Sequence, residues 1–382
     1  MRKRRDSLVS LVCRTLGRLL SPLVKEHSAS PGIGASILII KPCCIGDVLM
    51  ATPTIDQLRR HFPHAHLAMA VGHWAKAVVA NNPHLDEIIP CDGVGGGTGW
   101  SLRGYLALLR EVRRRRFDVC LVLERSPLLT TLPFLAGIPR RLGLDSAGRG
   151  FSLNHPVPCP SHRHEVLLYL DALGGLGIQP FSPRLQFFPS TQDQAWAEER
   201  LPLGPWMALH PGGGHNPGNV VPVKRWPAVG FAVVANHLMK GGMGTILVGS
   251  EEDKAVAAQI KSQLGGDGQV LDFTGETSLG QLGALLHRCR LFIGNDAGPL
   301  HLAAAVDTPA VGIFGPSDPQ RYGPFSPRCA VVYKNLPCGP CVEGGQGVRC
   351  SDPKCMAAIS PQEVWQAAES LLNNEPASSH PS

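Results

Sequence analysis

At 382 residues, with 43% hydrophobic and 17% charged residues, the chain is long enough for two domains with cores of their own and too apolar to be disordered. Its net charge is +6, but residues 1–28 hold seven Lys/Arg (Arg2, Lys3, Arg4, Arg5, Arg14, Arg18 and Lys25) against Asp6 and Glu26. The body is therefore almost neutral, and with no arginine-aromatic interleaving a nucleic-acid partner is excluded.

No apolar run reaches the ~18 to 20 residues needed to span a bilayer. Twelve cysteines in a chain without a signal-peptide pattern read as reduced thiols plus one candidate metal cluster.

Residues 7–20 predict a helix capped by Asp6 or Ser7 and stopped by Pro22. At about 100° per residue Leu8, Val12, Leu16, Leu19 and Leu20 share one side, with Arg14 and Arg18 opposite. Beside the Arg2–Arg5 cluster this describes residues 1–30 as a basic amphipathic tail for an anionic membrane surface. A signal peptide and a helix packed on the body are the competing readings.

After a loose linker, residues 36–40 form a continuous apolar run that predicts the first strand of a parallel sheet. The turn 43–47 follows, then a helix from Val48 through Arg60. Asp47 thus sits at a strand's carboxyl end, where open α/β sheets bind ligands; its plain alternative is a helix cap. Further strands are expected near 66–71, 87–90 and 118–123, which makes residues 31–185 one doubly wound lobe. Five glycines in residues 93–99 read as a flexible loop at the mouth of a cleft. Residues 113–116, four arginines at a helix end, suit either a solvated face or an anionic acceptor.

An interlobe connection is expected around a short helix at 191–201, and a second lobe over 205–358. Its first strand, 206–209, runs into the glycine-rich loop 210–219 and then Lys224-Arg225-Trp226-Pro227. Basic residues at a helix start oppose the helix dipole, so a bound anion is the expected reason for Lys224. Glu251 or Glu252, after the strand 245–248, is placed to accept ribose hydroxyls. Residues 291–305 read as a buried strand, a glycine turn and a helix opening at Pro299, an anion site in outline. In that turn Gly298 permits close approach, Ala297 and Leu300 offer backbone, and His301 is expected to donate to a phosphate. Asp296 is either a helix cap or a carboxylate organising the turn.

Cys338, Cys341, Cys350 and Cys355 fall within 18 residues of a Gly/Pro-rich loop, where structural zinc and four uncoordinated thiols are both admissible. A last helix is predicted through residue 372, and residues 373–382 are expected to be disordered.

Taken together, Gly46-Asp47, Lys224-Arg225-Trp226-Pro227, Thr274-Gly275 with Ser278-Leu279, Asn295 through Pro299 with His301, and Phe314-Gly315-Pro316 resemble glycosyltransferase family nine, the ADP-heptose:lipopolysaccharide heptosyltransferases. The similarity runs over residues 37–372. It implies an α/β fold of two Rossmann-like lobes facing each other across a cleft, the GT-B type. It also implies inverting transfer from ADP-heptose to an anionic lipid-linked core acceptor with no cofactor required for catalysis.

By that resemblance Asp47 is the general base, Lys224 contacts a phosphate, and Asp296 with the Gly298–His301 turn forms the pyrophosphate site; Glu251 and Ala297 join the expected donor residues by their placement alone. Arg59 and Arg60 are assigned to the acceptor. The implied location is cytoplasmic, peripheral on the inner face of the inner membrane. Two alternatives stay open: a related transferase with another nucleotide sugar, and an inactive metal-stabilised binding module of the same fold.

Overall fold

The structure is a computed structural model that describes residues 2–24, 32, 34–95, 99–216, 219–265, 269–342 and 350–373. The expectation of a disordered C-terminus, most of the 28–35 linker and part of the 93–99 loop lie outside these residues. The chain divides into two compact units, Met1–Arg184 and Leu185–Ser382.

In the first unit the strands are β1 (Ser36–Ile40), β2 (His66–Val71), β3 (Glu87–Pro90), β4 (Val119–Val122), β5 (Arg140–Asp145) and β6 (His155–Pro158). All pair in parallel, in the order β3-β2-β1-β4-β5-β6. Ile37, Leu38, Ile39 and Ile40 are wholly buried, which is why β1 shows no polar alternation: both faces of a parallel sheet are covered. The covering helices include α2 (Ile45–His61), α3 (Leu102–Arg115), α4 (Pro127–Leu135) and α5 (Glu165–Asp171), and α1 (Arg2–Leu20) precedes the first strand.

Strands β5 and β6 carry no continuous apolar run and were not expected. Arg140 and Arg141 open β5 yet are buried, and Arg141 is accommodated by donating to the carbonyls of Ser152 at 2.9 Å and Ile138 at 2.7 Å. The arginines at the end of α3 are partly structural: Arg115 clamps Glu87 and Glu111.

Helix α1 begins at Arg2, earlier than expected. Its Cys13 is buried, and Gly17 approaches Phe151 so closely that a Cβ there would lie 3.1 Å from the Phe151 Cβ. The opposite side leaves Leu8, Leu11, Val12, Leu16, Leu19 and, beyond the helix, Leu23 exposed by 39 to 70%. Among the described residues no helix is long and apolar enough to cross a membrane.

The second unit repeats the plan. Strands β7 (Trp206–His210), β10 (Gly244–Leu247), β11 (Val270–Asp272), β12 (Leu291–Asn295), β13 (Ala310–Phe314) and β14 (Cys329–Tyr333) form a parallel sheet in the order β11-β10-β7-β12-β13-β14. The short pair β8 (His215–Asn216) and β9 (Asn219–Val220) makes a separate hairpin. Helices α6 (Thr191–Arg200), α7 (Ala228–Met239), α8 (Lys254–Lys261), α9 (Leu279–His287) and α10 (Gly298–Ala305) cover it, with a C-terminal helix at Pro361–Asn373.

Helix α6 is not a connector, as expected from its Pro/Ser-rich flanks, but part of the second unit. A Cβ on Gly280 at the start of α9 would run into the Asp193 carboxylate, and Trp196 meets Phe273 edge-on at 5.9 Å. Burying Phe231, Phe292 and Phe314 in this unit contributes roughly 2 kcal/mol each.

Candidate active site

In both sheets the crossover direction reverses between two neighbouring strands, β1 and β4 in the first unit, β7 and β12 in the second. The loops at the carboxyl ends of such strands diverge and leave room for a ligand. Asp47, Glu124, Lys224 and Asp296 each follow one of these four strands, and His210 ends one.

In the first unit β1 runs into Lys41-Pro42-Cys43-Cys44 and then α2. Cys44 is the N-cap of α2, and Asp47 is the third residue of the helix, reaching back to accept the Cys44 N–H at 3.4 Å. A negative side chain is favoured there by the helix dipole. The carboxylate is only partly committed to this capping role, because the bond is long and the side chain is 34% exposed. Its Oδ2 lies 3.9 Å from the buried Lys41 Nζ, which donates to Glu124 Oε2 at 3.3 Å.

The surrounding protein raises the Asp47 pKa above the usual carboxylate value; Lys41 opposes that rise, and the charges of Glu165 and Glu124 add to it. A carboxylate tuned upward holds a proton more strongly, which suits a general base. The reading of all twelve cysteines as thiols or metal ligands is corrected at one place. Cys43 and Cys44 are joined to each other, while the other ten are unpaired.

In the second unit β7 ends at His210, followed by Pro211 and three glycines. Gly213 and Gly214 take φ of +125° and +71°, and a Cβ on Gly214 would strike the Val221 carbonyl. Asn295, at the end of β12 and wholly buried, fastens this loop. Its Nδ2 donates to the carbonyls of Pro211 at 2.9 Å and Gly212 at 2.8 Å, while its Oδ1 accepts the Trp226 N–H at 3.0 Å.

The 3-10 turn Pro222–Lys224 then presents Lys224, whose Nζ donates to Asp296 Oδ2 at 2.6 Å. Burial would push the Asp296 pKa up, but the charge and hydrogen bond of Lys224, with Ser317 and His301 nearby, outweigh it and hold the carboxyl below its ordinary range. His210, buried beside Asp253, is pushed down to about 4, mainly by burial, and is neutral at pH 7.

The sequence expectations meet this geometry unevenly. Asp296 is not the cap: Ala297 is the N-cap of α10, Pro299 stands in its first turn, and the Asp296 carboxylate accepts from Lys224 instead. The Leu300 amide, expected to be free for an anion, already donates to the Ala297 carbonyl at 3.1 Å. His301 is buried beside Asp296. Glu251, at the carboxyl end of β10, is exposed and paired with Lys254 at 2.9 Å.

Arg59, assigned to the acceptor with Arg60, is a correction. They occupy the last turn of α2, twelve and thirteen residues beyond Asp47, which is about 18 Å along the helix. Arg59 donates to the carbonyls of Pro63, Ala65 and His84 and to Asp86, whereas Arg60 pairs with Asp56. Arg59 thus binds the opposite edge of the sheet, where β2 and β3 begin, while Arg60 stays on its own helix with its side chain 62% exposed.

Among the four cysteines of the Gly/Pro-rich loop, Cys338 and Cys350 are exposed, and Cys341 and Cys355 are half-buried. The described residues contain no group of three or more His, Cys, Asp or Glu side chains arranged to hold a metal ion.

Sequence reasoning missed Lys41, Glu124, Arg125 and Glu165. Lys41 and Glu124 each follow a buried apolar strand directly, which is the signal that could have found them; nothing local marks Glu165 as their neighbour.

The family model described as glycosyltransferase family 9 (heptosyltransferase) matches residues 105–350. The chain is 28% identical over 362 residues to the lipopolysaccharide heptosyltransferase 2 of Salmonella typhimurium, covering 89% of this chain and 99% of that one. It is 27% identical over 312 residues to the lipooligosaccharide heptosyltransferase 2 of Haemophilus influenzae, covering 78% and 88%. Among solved structures it is similar to the ADP-heptose lipopolysaccharide heptosyltransferase II of Escherichia coli, with a TM-score of 0.69 at 25% identity and 88% and 98% coverage. A family 9 glycosyltransferase from Veillonella parvula shares the fold, with a TM-score of 0.74 at 24% identity and 91% and 99% coverage.

Proposed function

The chain belongs to glycosyltransferase family 9, the heptosyltransferases, and from that premise we propose that it transfers heptose from ADP-heptose to the inner core of lipopolysaccharide with inversion at the anomeric carbon. The observation that carries this reading is the matched placement of two groups. A partly exposed carboxylate, Asp47, follows the switch-point strand β1 of one unit, and a cation held by a carboxylate, Lys224 on Asp296, stands at the switch-point strand β12 of the other.

Asp47 takes the proton of the acceptor hydroxyl as that oxygen forms its bond to the anomeric carbon. The bond from that carbon to the diphosphate oxygen breaks, and ADP leaves with the electron pair. Lys224 meets the charge that develops on the diphosphate, and Asp296 keeps its ammonium in place until a phosphate shares it. No step in this scheme calls on a divalent cation.

Replacing Asp47 by Asn tests the reading. Transfer to a core acceptor is expected to fall by about 10² to 10⁴-fold, with ADP affinity unchanged by titration calorimetry. Transfer at the wild-type rate would remove Asp47 from the chemistry, and tighter binding of UDP or GDP than of ADP would replace the donor.

Peripheral attachment to the cytoplasmic face of the inner membrane is part of the same proposal. Support comes from the exposed aliphatic side of α1 and from the basic residues in the sequence that opens the chain. Flotation with phosphatidylglycerol vesicles tests it: the full chain is expected to float and a chain lacking residues 1–24 to stay behind, and equal flotation rejects the attachment.

Structural zinc in the four-cysteine loop rests on spacing alone. One equivalent of zinc in the purified protein, lost in Cys338→Ser, would support it; metal-free protein of the same melting temperature would reject it.

A further inference from the structure

Lys41 leaves β1 at the switch point of the first unit with its side chain 3% exposed. Its Nζ lies 3.3 Å from Glu124 Oε2, 3.9 Å from Asp47 Oδ2 and 5.5 Å from the centroid of the Tyr169 ring. The neighbouring cation, Arg125, is committed elsewhere, donating to both oxygens of the buried Glu165 at 2.7 and 2.9 Å. One ammonium is thus shared by two carboxylates that come from different loops.

The two carboxylates are not equivalent. Glu124 accepts from Lys41 and, at 2.8 Å, from the Arg125 amide, whereas Asp47 has only the long bond from Cys44 and a third of its surface open.

We propose that Lys41 is a positioning residue of the transfer reaction: its ammonium, shared between Glu124 and Asp47, fixes the direction of the Asp47 carboxylate and holds it in the unprotonated form that accepts the hydroxyl proton. The proposal rests on the reading of Asp47 as the base.

The groups that act on Asp47 are Lys41 from β1, Glu124 from the loop after β4, Glu165 from α5 and the Cys44 amide from its own turn; Arg125 and Tyr169 enclose the same cluster. Burial lowers the Lys41 pKa, yet Asp47, Glu124 and Glu165 together outweigh it and raise it above its ordinary value. Removing either neighbour of Asp47 should therefore move its ionisation, in opposite directions.

The test is the pH profile of kcat/KM for the full chain with ADP-heptose and a core acceptor, whose acid limb reports ionisation of the base in the free enzyme. Lys41→Met is expected to move that limb to higher pH, losing about tenfold at the acid end for each pH unit moved and recovering in alkali. Glu124→Gln is expected to move it to lower pH, because a like charge is gone and Lys41 is left to Asp47. Lys41→Arg should keep the wild-type limb.

A uniform loss at all pH values in Lys41→Met, with the limb in place, would reduce Lys41 to a structural role and overturn the inference. If Lys41→Met does not fold, Glu124→Gln decides, and a limb that stays or rises overturns the inference equally. Asp47→Asn separates the two claims. A fully active Asp47→Asn sinks the base itself, whereas an inactive one beside unmoved profiles sinks only the role of Lys41.

Discussion

Lys224 and Asp296 are each other's counter-charge: the ammonium donates to the carboxylate at 2.6 Å, with side chains 12% and 9% exposed. Lys224→Met leaves the carboxylate buried without its main cation, a loss of about 3 kcal/mol or more. For a unit of this size that lowers the melting temperature by about 10 °C, and ADP affinity falls with it.

The sign with pH follows from the depressed Asp296 pKa. The stabilisation is complete above the ordinary value of 3.8 and is lost as pH falls through the lower folded value. Urea unfolding of both proteins at pH 7 and in acid checks this: the gap between them should narrow in acid. Equal stability at pH 7 would show that Lys224 does not carry Asp296.

His210 titrates in the opposite sense to a paired histidine. Its folded value of about 4 lies below the ordinary 6.5, with burial and then Arg225 lowering it against Asp253. Between those values the unfolded chain binds more protons, so stability rises with pH through this window, by at most about 1.4 kcal/mol per pH unit. His210→Gln is expected to flatten that slope in denaturant titrations from pH 4.5 to 7; an unchanged slope assigns it to other groups.

Arg59 is a structural residue, and its removal separates stability from activity. Arg59→Ala abandons three backbone carbonyls and Asp86, which costs about 2 kcal/mol and lowers the melting temperature by roughly 5 °C. The acceptor KM at 20 °C is expected to stay within about twofold of wild type. A large rise in acceptor KM would restore the acceptor role.

Gly214 is replaceable only at the expense of the phosphate-side loop. Its φ of +71° and the Val221 carbonyl, which a Cβ would strike, leave no room for alanine. Gly214→Ala should raise the donor KM by about tenfold or more, while a loop of this size, outside both main sheets, leaves the melting temperature within a few degrees. An unaffected donor KM would separate the loop from the donor.

Much of the fold was legible because its cause is local. A buried parallel strand needs apolar side chains on both faces, so the run at residues 36–40 and the run before Asp296 announce themselves. Asp47 and Asp296 were singled out for the same reason, since each stands where an apolar run breaks into a turn; Lys224 stood out as a basic residue at a helix start, against the dipole. Strand β5 was hidden because Arg141 is buried on carbonyls from the strand's own flank and the loop after it, and Arg140 on that of Gly175, which no periodicity records.

What the chain decides by itself, then, is where strands end and which polar groups stand at those ends. The partner of each group is set by sheet order. Lys41 meets Glu124 across 83 residues and Lys224 meets Asp296 across 72, because β1 lies beside β4 and β7 beside β12. The same folding spends Arg59 on the rim away from Asp47. Contacts across such distances depend on crossovers closing correctly, and a closed crossover leaves no periodic trace in the residues it joins.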